Sequence, residues 1–144
     1  MSEITGVITT HLAALGAATR DRRVFAILTR HPHFIEDLPV RRDNGEVWVD
    51  IANTMEGVLL QFRDNELDRV VVTVRKDELY YPYPGSTELI AGLDLATATR
   101  GDVIALLGAP QQERADELVY ELDGAVVTLA LREDDLVRVT TSRS

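Results

Sequence analysis

The chain of 144 residues has no cysteine, which excludes disulfides, thiol catalysis and zinc held by thiolates. It also lacks a nucleophile elbow, a phosphate-binding glycine loop and a dinucleotide-binding fingerprint. No apolar run is long enough for a membrane span, and the N-terminal residues lack the basic start of a signal peptide. We therefore expect a cytoplasmic protein that does not bind membranes, holds no cofactor and carries no recognisable catalytic set.

Histidine is also scarce, with three residues in the chain. His31 and His33 flank Pro32, a spacing that offers two nitrogen ligands, but no nearby motif supplies a third. His11 falls on the apolar stripe of a predicted helix, where a histidine is more often a residue at the edge of the core than a metal ligand. We therefore predict no metal site.

Basic residues are few relative to acidic ones: 15 Lys and Arg against 24 Asp and Glu give a net charge of −9. Nucleic-acid binding depends on Lys and Arg that neutralise phosphates, so this balance argues against direct contact with nucleic acid. It favours a basic protein partner. The alternative, that the acidity only maintains solubility, stays open from composition alone.

Apolar residues near the N-terminus recur at the three- and four-residue spacing of one helix face. They are Ile4, Val7, Ile8, His11, Leu12 and Leu15. This spacing predicts a helix over residues 3–17, with Ser2 or Thr5 as its N-cap. A second helix is predicted over residues 20–30, capped by Thr19.

After a loop predicted over residues 31–45, the apolar period changes to two, which indicates β-strands. β-Branched and aromatic residues place the predicted strands over residues 46–52, 57–62, 68–74, 117–122, 125–131 and 136–141. Between the two groups of three lie a Tyr-Pro linker and a helix over residues 99–107. Thr99 and Asp102 at the start of this helix form a variant of the capping box.

The two groups of strands are similar in sequence. Residues 59–73 align with residues 128–142 without a gap, including an acidic turn. One such unit would expose the apolar face of a small sheet, whereas two units can share a core. We therefore predict an α+β fold of two α-βββ repeats, residues 1–78 and 79–144, in a single domain. The antiparallel sheet would have about six strands, with helices packed on one face.

The stretch "LATATRGDVIALLGAPQQERADELVYELDGAVVTLALREDDLVRVTT" resembles the repeat of the BamE/SmpA lipoproteins and of β-lactamase inhibitory protein (BLIP). In those families a Thr-capped helix ending in "LLG-P" precedes a Tyr-bearing strand and an antiparallel meander. The stretch "YPYPGSTELIAGLDLATATRGDVIALLGAP" is also similar to immunity proteins of bacterial polymorphic toxin systems. This resemblance implies an inhibitor of a toxin. The chain lacks the lipidated cysteine of the lipoproteins, so an outer-membrane role is not expected.

One face of the predicted sheet must meet the helices, and strand alternation assigns the residues of the other face. A tryptophan among arginines and aliphatic residues is typical of a protein-binding surface. The alternative is that Trp48 is covered by the 31–45 loop or packs between layers. The candidate partner-binding residues on this face are Trp48, Asp50, Leu59, Gln61, Arg69 and Glu121.

Tyrosines and acidic turns complete the set of candidate partner contacts. Tyr80, Tyr81 and Tyr83 are candidate anchors because tyrosine offers a large contact area, although linker tyrosines also commonly seal the contact between repeats. The turn formed by Glu133, Asp134 and Asp135, like its counterpart at 64–66, would attract a basic partner or serve only as a solvated hairpin tip.

From these observations we expect a non-enzymatic immunity protein (antitoxin) that binds a cognate bacterial toxin domain and occludes its active site. A basic toxin domain, such as a nuclease, is the expected partner. The alternatives are a small-ligand-binding or scaffolding module that uses the free sheet face, and an enzyme whose scattered active site leaves no motif.

Overall fold

The computed structural model describes residues 3–144, which form an α+β fold with an antiparallel sheet. The described residues contain three helices, α1 (Ile8–Ala14), α2 (Arg22–Leu28) and α3 (Arg100–Leu107). They also contain nine strands: β1 (Ile35–Glu36), β2 (Val40–Arg41), β3 (Val47–Asn53), β4 (Val58–Arg63), β5 (Glu66–Thr73), β6 (Gln112–Glu113), β7 (Glu117–Leu122), β8 (Ala125–Arg132) and β9 (Asp135–Arg143). No helix within residues 3–144 has the length and apolar character needed to cross a membrane.

All strands belong to one sheet in the order β1-β3-β4-β5-β9-β8-β7-β6, with β2 also paired to β3. Every pairing is antiparallel, and the two three-stranded meanders join where β5 pairs with β9. The six long strands lie within about two residues of their predicted bounds. The prediction of about six strands is nevertheless too low, because β1, β2 and β6 have two residues each. Strands this short carry no alternation that a sequence pattern could reveal.

The helices pack on one face of this sheet, as predicted. Ile8, Val24 and Val103 from the helices belong to the same buried cluster as the strand residues. Cross-strand pairs on that face are apolar, for example Leu60 opposite Val70, and Leu129 opposite Leu118. Burial of such pairs contributes roughly 1.5 to 3 kcal/mol for each large side chain, so this shared core holds both meanders together.

The first helix is shorter than predicted because the segment before it pairs with another part of the chain. The amides of Val7 and Ile8 donate to the carbonyls of Glu88 and Leu89, both at 2.9 Å. Gly6 adopts φ +109°, which brings its backbone against this segment. α1 therefore begins at Ile8 without a side-chain cap. Of the two predicted caps, Thr5 lies before this turn and Ser2 lies outside the described residues.

The second helix is also shorter than predicted and is capped by a different residue. Asp21, and not Thr19, is the N-cap of α2, and its carboxylate accepts from the amide of Arg23 at 2.8 Å. The Thr19 hydroxyl instead donates to Asn65 at 3.0 Å in the β4–β5 turn. An aspartate side chain can only accept hydrogen bonds, as the free amides at a helix start require. A threonine hydroxyl can also donate, and Thr19 uses its hydroxyl to donate to Asn65 in the β4–β5 turn.

The capping box at α3 forms as predicted. The Thr99 hydroxyl accepts from the amide of Asp102, and the Asp102 carboxylate accepts from the amide of Thr99 at 3.0 Å. The structure therefore satisfies two amides that a helix start leaves unpaired.

Replacing Thr99 with alanine is expected to lower the free energy of unfolding by about 1 kcal/mol, because one helix amide loses its acceptor. Thr99→Ser keeps the hydroxyl and should stay within a few tenths of a kcal/mol of the wild type. Urea unfolding of both variants tests this. Equal losses in the two variants would show that the methyl group, and not the cap, stabilises this site.

The two meanders share irregularities at corresponding positions of the 59–73 and 128–142 alignment. The ladder register shifts between Gln61 and Phe62 in β4, and between Ala130 and Leu131 in β8. The turn after each of these strands has two consecutive residues with positive φ, Asp64-Asn65 and Glu133-Asp134. The amide of the second residue in the next strand then donates to a carbonyl near α2 or α3, Leu67 to Ala17 and Leu136 to Ala98.

Candidate partner-binding surface

The sheet face opposite the helices, here called the open face, carries alternate residues of the long strands. The register places Asp50 opposite Gln61 and Gln61 opposite Arg69 on this face. The strand alternation predicted from the sequence thus agrees with the observed ladders. The structure places six of the candidate residues here: Trp48, Asp50, Leu59, Gln61, Arg69 and Glu121.

A shallow depression of about 490 Å³ lies at the centre of the open face. It spans the junction between β5 and β9, where Val71 pairs with Thr140. Its lining mixes aliphatic, hydroxyl and charged groups: Leu59, Gln61, Arg69, Val71, Thr73, Asp77, Tyr80, Glu117, Thr128, Ala130, Arg138, Thr140 and Ser142. Such a mixture can combine apolar contact with hydrogen bonds to a partner.

Trp48 is covered by the segment that the sequence predicted as a loop. β2 pairs directly with β3 here, with Val40 opposite Trp48. The guanidinium carbon of Arg42 lies 4.0 Å from the centre of the indole ring. Only 8% of the tryptophan is exposed. Of the alternatives drawn from the sequence, coverage by the 31–45 segment is the one observed, so a partner would meet Arg42 before the indole.

Two further arginines of the open face lie beside the indole and are fixed by carboxylates. Arg63 and Arg69 approach the ring centre at 5.9 and 5.8 Å. Both pair with the buried Asp68, at 3.4 and 3.0 Å respectively. Asp68 is the extra residue where the β4–β5 register shifts. The bulge thus directs a carboxylate to hold these arginines in place.

The three candidate tyrosines occupy three different environments. Tyr80 lines the depression, and burial together with the nearby carboxylates of Asp50 and Asp77 raises its pKa. Tyr81 is 45% exposed, with the Lys76 amine 5.1 Å from its ring centre. Tyr83 is 5% exposed. Its burial contradicts its expected role as a direct anchor, because its ring packs within the fold.

The two acidic turns lie at opposite ends of the sheet. Each turn precedes one of the central strands β5 and β9, which run antiparallel. Asp134 pairs with Arg100 at 2.9 Å, and all three residues of this turn, Glu133, Asp134 and Asp135, are exposed. The carboxylates of residues 64–66 and 133–135 therefore form two separate acidic regions.

An exposed apolar strip, which sequence reasoning missed, lies beside Trp48. We name residues 35–41 the edge flap, because β1 and β2 within it pair with the outer side of β3. Ile35, Leu38 and Val40 are 68%, 86% and 61% exposed. The signal in the sequence was the apolar content of "FIEDLPV", which is unusual for a solvated loop. Clustered exposed apolar side chains mark interaction surfaces in soluble proteins.

The histidines next to Pro32 do not share a site. His31 is buried, with its Nδ1 atom 3.5 Å from the Glu56 carboxylate. His33 is exposed and has a positive φ of 67°. Within residues 3–144, no group of three or more His, Asp or Glu side chains is arranged to hold a metal ion.

Comparisons with protein-family models, curated proteins and solved structures found no match to this chain. The resemblance to the BamE/SmpA and BLIP repeat and to immunity proteins therefore rests on the motifs quoted above. The open face and the edge flap are the features from which a function can be argued.

Proposed function

We propose that the chain is a tandem α-βββ repeat of the BLIP and BamE type that acts as a cytoplasmic immunity protein. The shared positions of the register shifts and positive-φ turns support a duplicated unit. In this proposal the protein is not an enzyme, and it binds a cognate bacterial toxin domain directly, without contacting nucleic acid or membrane. Inhibition is by occlusion of the toxin's active site.

The observation that carries the proposal is the edge flap beside the open face. Exposed apolar side chains on the flap provide area for a partner to bury, and the adjoining depression provides polar groups around it. An apolar patch next to a polar, arginine-bearing rim is the usual arrangement of a protein interface. The helices α1, α2 and α3 on the other side of the sheet, here called the helix layer, expose less apolar surface. Among the described residues of these helices, Phe25 is the one large hydrophobic residue that is exposed.

The charge of the chain supports a basic partner. The net charge of −9 attracts a basic toxin domain over distances of about one Debye length. Glu121, Glu133 and Asp135 are exposed carboxylates on the sheet and its turns. They would raise the rate of association more than the final affinity.

Leu38→Ser is expected to weaken the complex with the toxin domain encoded beside this chain by at least tenfold, because the largest exposed contact of the flap is lost. Phe25→Ser is the matched control, since Phe25 is also exposed but lies on the helix layer. Isothermal titration with the toxin domain, and growth rescue on co-expression, measure the effect. Unchanged affinity in Leu38→Ser, or no complex with the wild type, would contradict the proposal.

A small-ligand-binding module is the second candidate, and the depression favours it. Its volume of about 490 Å³ falls within the range of small-molecule sites. Trp48 lies on the same sheet face, so its fluorescence provides a readout. A saturable change on addition of a metabolite, without any protein partner, would support this candidate over the immunity function.

A further inference from the structure

A small pocket at one end of the open face is lined by four cationic side chains. Its volume is about 130 Å³. Arg75, Lys76, Arg132 and Arg138 line it, together with Thr73, Asp77 and Val137. β5, β8, β9 and the segment after β5 bring these residues together, although they are distant in sequence.

None of these four cations is paired with a carboxylate, a state that Arg75, Arg132 and Arg138 share with five other arginines of the described residues. Six arginines in residues 3–144 form ion pairs with carboxylates: Arg23, Arg63, Arg69, Arg100, Arg114 and Arg143. No carboxylate lies within ion-pair distance of the four pocket cations among the described residues. Asp77 is the one acidic residue among the seven that line the pocket, so cationic residues outnumber carboxylates there by four to one.

The one carboxylate that lines the pocket is used by the backbone. Asp77 Oδ1 accepts from the amides of Leu79 and Tyr80, at 2.9 and 2.7 Å. This Asx turn shapes the segment that carries Tyr80. Asp77 therefore serves a local turn and is not paired with a pocket cation.

Two of the cations are positioned by neighbouring groups. An Nη atom of Arg75 donates to the carbonyl of Ala96 at 3.3 Å, while its Nε atom is buried without a partner. The Lys76 amine lies over the Tyr81 ring. Such contacts reduce the side-chain entropy that an anion would otherwise have to remove on binding.

We propose that this pocket binds a phosphate group. Like charges held together repel one another, and an oxyanion that accepts from several guanidinium groups relieves that repulsion. The pocket is large enough for one phosphate and is continuous with the depression, with which it shares Thr73, Asp77 and Arg138. The phosphate reaches it as the free ion or as a monoester whose organic part lies along the depression. This inference goes beyond the immunity function and does not depend on it.

Thermal unfolding in inorganic phosphate, against sodium chloride of equal ionic strength, tests the site. Phosphate is expected to raise the Tm of the wild type, because a ligand that binds the folded state stabilises it. The double variant Arg132→Gln with Arg138→Gln should lose this rise. The control, Arg20→Gln with Arg22→Gln, removes two exposed arginines elsewhere and should retain it.

The variants separate specific binding from the general stabilising effect of phosphate on proteins. An equal rise in the pocket variant and the control would overturn the proposal, as would no rise in the wild type. Lys76→Gln is a milder second variant, expected to weaken phosphate binding about threefold or more by NMR titration. Glycerol 3-phosphate distinguishes the two sources: at least tenfold tighter binding than inorganic phosphate indicates a monoester, and equal binding indicates the free ion.

Discussion

Replacing Gly57 with alanine is expected to destabilise the fold by about 2 to 5 kcal/mol. The residue has φ +65°, a conformation that costs an L-residue about 1 to 2 kcal/mol. An added Cβ would also overlap the carbonyl of Tyr81 and lie 3.0 Å from the amide of Tyr83. Displacing a packed backbone segment costs about 1 to 3 kcal/mol more. Urea unfolding gives the difference directly.

Gly124 supplies the matched control for this experiment. It has a similar φ of +75° in the β7–β8 turn, but no atom lies within 4 Å of where a Cβ would be. Gly124→Ala should therefore cost only the conformational part, about 1 to 2 kcal/mol. The excess loss in Gly57→Ala measures how closely the Tyr80–Tyr83 segment is pressed onto the sheet. Equal losses of unfolding free energy in the two variants would mean that the Tyr80–Tyr83 segment can move away from the added methyl group at little energetic cost.

A buried histidine is expected to make the fold sensitive to acid. His11 is buried in α1, and neither ring nitrogen has a hydrogen-bond partner. Burial, with smaller contributions from the neighbouring His31 and Arg30, lowers the pKa of His11 from 6.5 to about 4. The folded state therefore favours neutral His11, whereas the unfolded chain binds the proton near pH 6.5.

The pKa difference between the folded and unfolded states determines whether acid stabilises or destabilises the fold, and over which pH range. Above pH 6.5, His11 is neutral in both states and does not lower the free energy of unfolding. As the pH falls towards 4, only the unfolded chain binds the proton, and the free energy of unfolding falls by up to about 3 kcal/mol. His11→Leu should flatten the stability profile in this window, because leucine binds no proton. It should also keep or raise stability at pH 7, since two unpartnered nitrogens are removed.

Urea unfolding at several pH values between 7 and 4 measures this effect as the difference between the wild type and His11→Leu. His33→Asn serves as the control, because His33 is exposed and asparagine tolerates its positive φ. The control should reproduce the wild-type profile. A His11→Leu profile as steep as that of the wild type would show that other groups cause the acid sensitivity.

Local patterns were enough to predict the long strands and the face each residue occupies. The two-residue period of a strand assigned Val70 and Val72 to the core and Val71 to the other face. The structure agrees, because Val70 and Val72 are buried and Val71 lines the depression. The Thr99 capping box was likewise predicted, because it depends on residues three apart. Features with a local physical cause can be read from one sequence.

Features that depend on distant contacts could not be predicted in this way. The start of α1 is set by hydrogen bonds to Glu88 and Leu89, far along the chain. The burial of Tyr83 and the covering of Trp48 were each among the alternatives drawn from the sequence, but only tertiary contacts decide between those alternatives. The amide of Tyr83 donates to the carbonyl of Thr73, and the guanidinium group of Arg42 lies over the indole of Trp48. The cationic pocket joins residues 75–76 with 132 and 138, which only the β5–β9 pairing brings together.

The most direct test of the proposed function is to map, by methyl cross-saturation NMR, the interface in a complex with the toxin domain that the proposal gives this protein as its partner. Saturation transfer is expected to methyl groups of the edge flap and the open face, such as those of Leu38, Val40, Leu59 and Val71. Ala26 and Ala105, exposed on the helix layer, should receive none. Saturation of the helix-layer methyls without those of the sheet would contradict the proposal that this protein inhibits through its open face.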